Sequence, residues 1–214
     1  MSDPTRTLLQ MVLDGVAADM AEPILTFVDV HATGAFVEEA RTYHDLLQAG
    51  RELAGALRSV GMAEGDAFAI IMRNHPEFVE AMVASEIAGT VFVPIDPRTR
   101  GEKLAYMLGF SRCRGAIVTR DVLPQLDAIR DVLPDLAWIW VIDGADSGSG
   151  HRALADVRAA ARPAEEVSPR PADAPMQMLF TSGTTGDPKA ILAPHARFAA
   201  VATLGPVVGL MPAR

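Results

Sequence analysis

The chain has 214 residues, of which 50% are apolar and 21% are charged, and this composition excludes a disordered tail and favours a protein with a core. Acidic residues outnumber basic ones by 27 to 19, and the resulting charge of −8 argues against sequence-independent binding of nucleic acid. The single cysteine, Cys113, excludes an internal disulfide framework and a zinc site made of several cysteines.

The chain shows no export signal and no membrane-spanning segment. Its first residues are polar, and Asp14, Gly15 and Asp19 interrupt the apolar stretch that follows. The longest uncharged run covers 16 residues, 198–213, and Gly205-Pro206 breaks it. A helix needs about 20 apolar residues to cross a bilayer. We therefore expect a cytoplasmic chain with no membrane span and no nucleic-acid partner.

The first predicted elements are a hairpin and an amphipathic helix. Residues 24–30 and 35–39 flank the turn-like Ala32-Thr33-Gly34, which is typical of a hairpin. From Thr42 to Val60 the apolar residues recur with helical spacing, with Thr42 as N-cap and Gly61 as a left-handed terminator. The first unit of the fold is therefore a hairpin followed by a helix with one buried face.

Short apolar strands then alternate with helices. The predicted strands are residues 67–72, 90–95, 115–119 and 137–142. The first predicted helix has Asn74 as its cap and Pro76 in its first turn, and it runs to about Ala88. The second begins at a capping box formed by Thr99 and Glu102 and runs to Leu108, and the third runs from Asp121 to Leu133. Such alternation predicts an α/β fold, a doubly wound and mostly parallel sheet with flanking helices.

A proline-rich stretch indicates a subdomain boundary. Residues 162–175 contain Pro163, Pro169, Pro171 and Pro175. We predict a first α/β subdomain over residues 1–165, a linker over residues 166–175, and the start of a second subdomain over residues 176–214.

The strongest chemical signal follows the predicted buried strand from Met176 to Phe180. The segment Thr181-Ser182-Gly183-Thr184-Thr185-Gly186-Asp187-Pro188-Lys189, here called the phosphate loop, combines hydroxyls, glycines and a lysine. Glycines let backbone N–H groups converge on an anion, to which hydroxyls and an ammonium add donors. It is not a Walker A loop, because Pro188 rather than glycine precedes the lysine. The alternative is a Ser/Thr-rich surface hairpin that happens to contain a lysine.

The order of these residues resembles the signature loop of the adenylate-forming enzymes, which include acyl-CoA synthetases, peptide-synthetase adenylation domains and luciferases. The similarity extends over roughly residues 22 to 200 and includes residues 73–78, 89–97 and 103–108. Two positions depart from the family pattern: Ala190 replaces a glycine, and Pro194-His195 replaces a Thr-His or Ser-His pair. The resemblance implies the start of the large N-terminal domain of such an enzyme.

The resemblance also implies a reaction. In this family the phosphate loop holds the β- and γ-phosphates of ATP while a carboxylic acid attacks the α-phosphate, and the thiol of coenzyme A often takes the acyl group. The implied ATP-binding residues are Thr181, Ser182, Gly183, Thr184, Thr185, Gly186 and Lys189. Mg²⁺ is implied with ATP, no protein metal ligand is assigned, and the catalytic residues are unknown and expected downstream of Arg214.

Three readings of function remain open. The chain is the N-terminal fragment of an acid–CoA ligase, part of an adenylation domain that serves a carrier protein, or a non-catalytic nucleotide-binding remnant. We expect the isolated chain to be inactive, and to need the missing C-terminal part or a second copy as partner. We also expect Cys113 to be half-buried at a helix end, His195 to have a capping or packing role, and the phosphate loop to be exposed and poorly ordered without nucleotide.

Overall fold

The computed structural model describes residues 6–30, 34–145, 148–181 and 188–197. Its strands are β1 Leu25–Val30, β2 Phe36–Arg41, β3 Ala67–Ile71, β4 Val91–Pro94, β5 Gly115–Val118, β6 Trp138–Val141, β7 Arg152–Ala153, β8 Pro175–Thr181 and β9 Lys189–Pro194. Its α-helices are α1 Leu8–Ala17, α2 Tyr43–Ser59, α3 Pro76–Ala88, α4 Gly101–Phe110, α5 Leu123–Asp127 and α6 Leu154–Ala160. In these ranges no helix is both long and apolar enough to cross a membrane.

Seven strands form one sheet, in the order β7-β6-β5-β3-β4-β8-β9. All neighbours are parallel except β8 and β9, which pair antiparallel. The chain passes from β3 to β4 on one side and then returns to place β5 on the other side of β3. The prediction of a doubly wound, mostly parallel sheet is therefore confirmed.

The sheet separates two apolar cores. Phe68 and Ile70 of β3 face the core that α1, α2, α3 and α6 cover, and Ala69 and Ile71 face the core under α4 and α5. Every residue of β3 is buried, as expected for a central strand covered on both faces. The carboxyl ends of the central strands are consequently held in place from both sides.

Helix α2 is capped as the sequence predicts. The Thr42 side chain accepts the N–H of Asp45, and the Asp45 carboxylate accepts the N–H of Thr42 at 2.8 Å. Gly61 follows the helix with φ of 77°, a conformation that glycine adopts without strain. The hairpin prediction is also confirmed, since Val30 pairs with Phe36, although residues 31–33 of its turn lie outside the described residues.

Two predicted helix caps are wrong. The N-cap of α3 is His75 rather than Asn74, and it makes no side-chain capping hydrogen bond. The N-cap of α4 is Arg100, so Thr99 and Glu102 form no capping box. The N–H of Thr99 instead donates to the carbonyl of Asp96 at 2.9 Å, in the turn that precedes the helix.

The predicted helix from Asp121 to Leu133 is broken into shorter pieces. The chain forms a 3₁₀ turn at Arg120–Val122, helix α5, and a second 3₁₀ turn at Arg130–Val132. Pro124 explains the first break, because proline has no N–H to donate within a helix and fits its first turn. At Ile129 the backbone leaves the helical region, with φ of −118° and ψ of 4°.

Strand β8 is less buried than its apolar sequence predicts. Met176 is buried, but residues 177–180 are only half-buried, because β8 lies beside the outermost described strand, β9. Residues 161–174 contain no helix or strand. Since β8 joins the same sheet as β4, the sheet continues beyond this stretch, and the division into two subdomains stays a prediction.

Candidate functional site

The phosphate loop begins at the carboxyl edge of the sheet. Gln177 of β8 pairs with Phe92 of the parallel strand β4, so Thr181 at the end of β8 lies toward the same edge as the turn after β4. Ligands of open α/β sheets bind at this edge. Of the predicted site residues, Thr181 and Lys189 are described, whereas Ser182, Gly183, Thr184, Thr185 and Gly186 lie outside the described residues, as does the prediction of their disorder.

Thr181 and Lys189 close the loop from both ends. They are register partners in the β8–β9 ladder, and the Thr181 hydroxyl donates to the Lys189 carbonyl at 3.4 Å. Both residues are exposed. A lysine ammonium at this edge can meet an anionic ligand without the cost of burying an unpaired charge.

The departure at Ala190 causes no backbone strain. Ala190 pairs with Phe180 in the antiparallel ladder. Among the described residues other than glycine, those with positive φ are Asp19 and Arg112. The methyl group at position 190 is therefore compatible with the backbone of the strand.

A cleft of about 650 Å³ lies at the same carboxyl edge. Residues 72–75 after β3 and residues 96–98 after β4 contribute to its walls, together with Phe27 of the hairpin. These two loops lead to helices on opposite faces of the sheet, since α3 packs on one core and α4 on the other. The cleft thus occupies the point where the strand order reverses, the usual ligand position in this architecture.

An ion pair fixes the turn after β4. The guanidinium of Arg98 donates to the Asp96 carboxylate at 2.6 Å, and the backbone N–H of Arg98 adds a bond at 2.8 Å. These donors hold the pKa of Asp96 well below its usual range. Gln125 donates to the carbonyl of Pro97 at 2.9 Å and so ties this turn to α5. The turn beside the cleft therefore carries an exposed pair of opposite charges.

His195 follows β9 and is buried. Its Nδ1 lies 3.4 Å from Oε2 of Glu86 on α3, whose side chain is also buried. No motif in the sequence singles out Glu86. The available signal is a carboxylate in α3 whose neighbours in the sequence, apart from Ser85, are apolar.

Cys113 is fully buried rather than half-buried. Burial raises the pKa of its thiol to about 12, although Ser111 offers a hydrogen bond. The neighbouring arginines point into other contacts: Arg112 pairs with Asp135 and Arg114 with Asp66. Cys113 is therefore a residue of the core under α4 and α5.

The described ranges contain no group of three or more His, Cys, Asp or Glu residues arranged to hold a metal ion.

Comparison with known proteins adds independent information. The AMP-binding enzyme model matches residues 25–209. The long-chain-fatty-acid–CoA ligase of Thermus thermophilus is 32% identical over 156 residues, which cover 72% of this chain and 28% of that enzyme. Tyrocidine synthase 3 of Brevibacillus parabrevis is 27% identical over 190 residues, which cover 88% of this chain and 3% of that protein.

Solved structures share the fold. The anthranilate CoA ligase AuaEII, in complex with anthranoyl-AMP, matches with a TM-score of 0.77 at 22% identity, over 92% of this chain and 37% of that one. The chain therefore spans 28%, 3% and 37% of the lengths of these three proteins. Because the family model matches most of its length, the chain belongs to the AMP-binding enzyme family, the adenylate-forming enzymes that its phosphate loop resembles.

Proposed function

We propose that the chain is the N-terminal part of an acid–thiol ligase. It contributes to the activation of a carboxylic acid by ATP, which yields an acyl-adenylate and pyrophosphate, and the thiol of coenzyme A then takes the acyl group. One observation carries the proposal: the phosphate loop is closed by Thr181 and Lys189 at the edge of the sheet where the cleft lies. The 32% identity to a fatty-acid–CoA ligase supports coenzyme A as the thiol that accepts the acyl group.

The role of the loop follows from its donors. Its hydroxyls and backbone N–H groups hold the triphosphate tail, and the Lys189 ammonium offsets the negative charge of that tail. Mg²⁺, when bound with ATP, would supply further positive charge to the phosphates. The β8–β9 ladder fixes both ends of the loop, which restricts where its donors can meet the phosphates.

The rest of the reaction requires groups outside this chain. Adenine and ribose must also be held, and the α-phosphate needs a cation beside it. We expect these groups, with the catalytic residues, downstream of Arg214, and we expect the isolated chain to be inactive. The 28% coverage of the fatty-acid ligase is consistent with this expectation.

The test is acid-dependent exchange of pyrophosphate into ATP by the longest native form of the protein. A panel of fatty, aromatic and amino acids identifies the substrate class. Exchange that depends on one class of acid supports the ligase. Binding of ATP without exchange for any acid would support a nucleotide-binding remnant instead.

An adenylation domain that serves a carrier protein is the second candidate. The match to tyrocidine synthase 3, which covers 88% of this chain, favours it. The two candidates differ in the thiol that accepts the acyl group. Release of a free acyl-CoA when coenzyme A is added supports the ligase, whereas transfer only to a carrier-bound phosphopantetheine thiol supports the adenylation domain.

A further inference from the structure

Glu86 is a carboxylate enclosed in the apolar core on one face of the sheet. It lies in the last turns of α3, and its side chain has no solvent exposure. A charged group in such a place is costly unless several donors satisfy it. Its partners therefore indicate what the residue holds together.

The partners of Glu86 come from three separate segments. The N–H of Leu9, in the first turn of α1, donates to Oε2 at 2.9 Å. The N–H of Arg170, in the segment before β8, donates to Oε1 at 3.4 Å. Nδ1 of His195 lies 3.4 Å from Oε2, a close contact that does not have the geometry of a hydrogen bond. Burial raises the pKa of Glu86, but His195 and the donors at Thr7 and Leu9 outweigh burial and hold the pKa below its usual value.

His195 connects this carboxylate to the base of the β8–β9 ladder, the end farthest from the phosphate loop. The N–H of His195 donates to the carbonyl of Ala174 at 3.1 Å, and the N–H of Ala196 donates to that of Ala172 at 2.8 Å. At this end Pro175 pairs with Pro194. The chain entering β8 and the chain leaving β9 are thus joined to each other and, through Glu86, to α3.

Little backbone pairing joins the ladder to the rest of the sheet, although Met176 lies in one core and Met178 and Phe180 pack against the other. Strand β8 is joined to β4 through one register pair, Phe92 with Gln177, whereas β9 pairs only with β8 among the described strands. The tilt of the ladder therefore rests on this side-chain packing and on the contacts at its base. The position of Thr181 and Lys189 at the far end depends on that tilt.

We propose that Glu86 and His195 are positioning residues for the phosphate loop. The buried pair locks the base of the β8–β9 ladder against α3 and so fixes the direction in which Thr181 and Lys189 present the loop to the triphosphate. Neither residue contacts the nucleotide. The inference rests on the proposed role of the loop, and its test separates the two.

The central variant is Glu86→Gln, and Glu80→Gln is its matched control. Glu80 is also a buried carboxylate of α3, but it binds Arg41 at the end of the hairpin and Arg158 of α6. Two quantities are measured for each variant. Backbone amide hydrogen exchange is measured on this chain, and the KM for ATP and the kcat of acid-dependent ATP–pyrophosphate exchange are measured on the longest native form. The Glu86 carboxylate accepts hydrogen bonds from the N–H groups of Leu9 and Arg170, and loss of a hydrogen bond to a charged group changes an equilibrium constant about tenfold or more.

We expect Glu86→Gln to accelerate amide hydrogen exchange in β8 and β9. The same variant should raise the KM for ATP about tenfold, with a smaller change in kcat. Glu80→Gln should accelerate amide hydrogen exchange in β2 and α6 and leave the KM for ATP unchanged. If Glu86→Gln does not fold, His195→Leu and His195→Asn replace it. Asparagine keeps a donor close to the position of Nδ1, so it should restore the KM that leucine raises.

The inference is overturned if Glu86→Gln leaves the amide hydrogen exchange of β8 and β9 unchanged. It is also overturned if Glu80→Gln accelerates the exchange of these two strands equally. Substitution of Thr184 by valine tests the loop itself. If that change raises the KM for ATP while Glu86→Gln loosens the ladder without raising it, the positioning role fails and the proposed function stands. If neither variant changes the KM for ATP, the proposed function fails together with the inference.

Discussion

Thr181 and Lys189 face each other where β8 ends and β9 begins, and the hydroxyl of Thr181 donates to the backbone carbonyl of Lys189 at 3.4 Å. The two ends of the phosphate loop are thereby held at one place on the sheet. A loop closed in this way can organise donors around an anion.

The hydroxyls of Thr184 and Thr185 should matter for ATP and not for folding. Substitution of either by valine keeps the shape of the side chain and removes one donor. A hydrogen bond to a charged group contributes about 1.5–3 kcal/mol, so we expect the KM for ATP to rise roughly ten- to over a hundredfold. The measurement is ATP–pyrophosphate exchange by the longest native form, with the midpoint of thermal unfolding measured in parallel.

The control for these variants is Thr26→Val, at an exposed position of β1. It should change neither activity nor the unfolding midpoint. Equal losses of stability and activity in the Thr184 and Thr185 variants would instead indicate that the loop is a structural hairpin.

Glu80 should be a major contributor to stability. Its carboxylate is 2% exposed and accepts hydrogen bonds from Arg41 and Arg158, both at 2.8 Å. Removing one partner of a buried ionic group leaves the others without compensation and costs about 3–5 kcal/mol. We expect Glu80→Ala to lower the free energy of unfolding by that amount, as measured by urea denaturation.

An exposed pair provides the contrast. Arg162 and Glu165 form an ion pair with side chains 82% and 69% exposed. Such pairs contribute about 0–1 kcal/mol. If Glu165→Ala destabilised the chain as much as Glu80→Ala, burial would not explain the importance of Glu80.

Two glycines should respond to alanine with opposite signs. A Cβ at Gly55 in α2 would lie 2.0 Å from the carbonyl oxygen of Arg162, whereas a Cβ at Gly109 in α4 would meet Leu133 at an ordinary 3.8 Å. Overpacking costs about 1–3 kcal/mol, and alanine in a helix is favoured over glycine by about 0.5–1 kcal/mol. Chemical denaturation should therefore show Gly55→Ala destabilised and Gly109→Ala stabilised. A stable Gly55→Ala would contradict the close approach of the chain after α6 to α2.

Cys113 should not react with thiol reagents in the folded chain. Only the thiolate reacts, and burial raises the pKa of this thiol to about 12, so the thiolate is scarce at neutral pH. We expect a chromogenic disulfide reagent to label Cys113 only after unfolding in guanidinium chloride. Rapid labelling under native conditions would place the thiol at the surface.

The sequence predicts the sheet well because its strands are short apolar runs buried on both faces, as in β3. The sequence predicts helix ends less well, because the hydrogen bonds that form there depend on which groups are close in the folded chain. Thr99 has the spacing of a cap, yet its N–H completes a turn with Asp96. Pro124 was a visible signal that the helix from Asp121 could not continue.

At the candidate site, the order of hydroxyl residues, glycines and lysine located the phosphate loop. It did not reveal the residues at the base of the β8–β9 ladder. Glu86 lies far from His195 in the sequence, and no periodicity relates an apolar helix to the end of a distant strand. Only the packing of α3 against the chain around β8 and β9 brings the two together.

The most direct test of the account is acid-dependent ATP–pyrophosphate exchange by the longest native form, compared with the same protein carrying Lys189→Met. Methionine keeps most of the side-chain length and removes the charge. We predict that the unaltered protein exchanges pyrophosphate only when its acid substrate is present, and that Lys189→Met loses at least about tenfold in kcat/KM for ATP because a charged donor to the phosphates is absent. Full exchange by Lys189→Met, or no exchange by the unaltered protein with any carboxylic acid, would contradict the assignment of this loop to ATP.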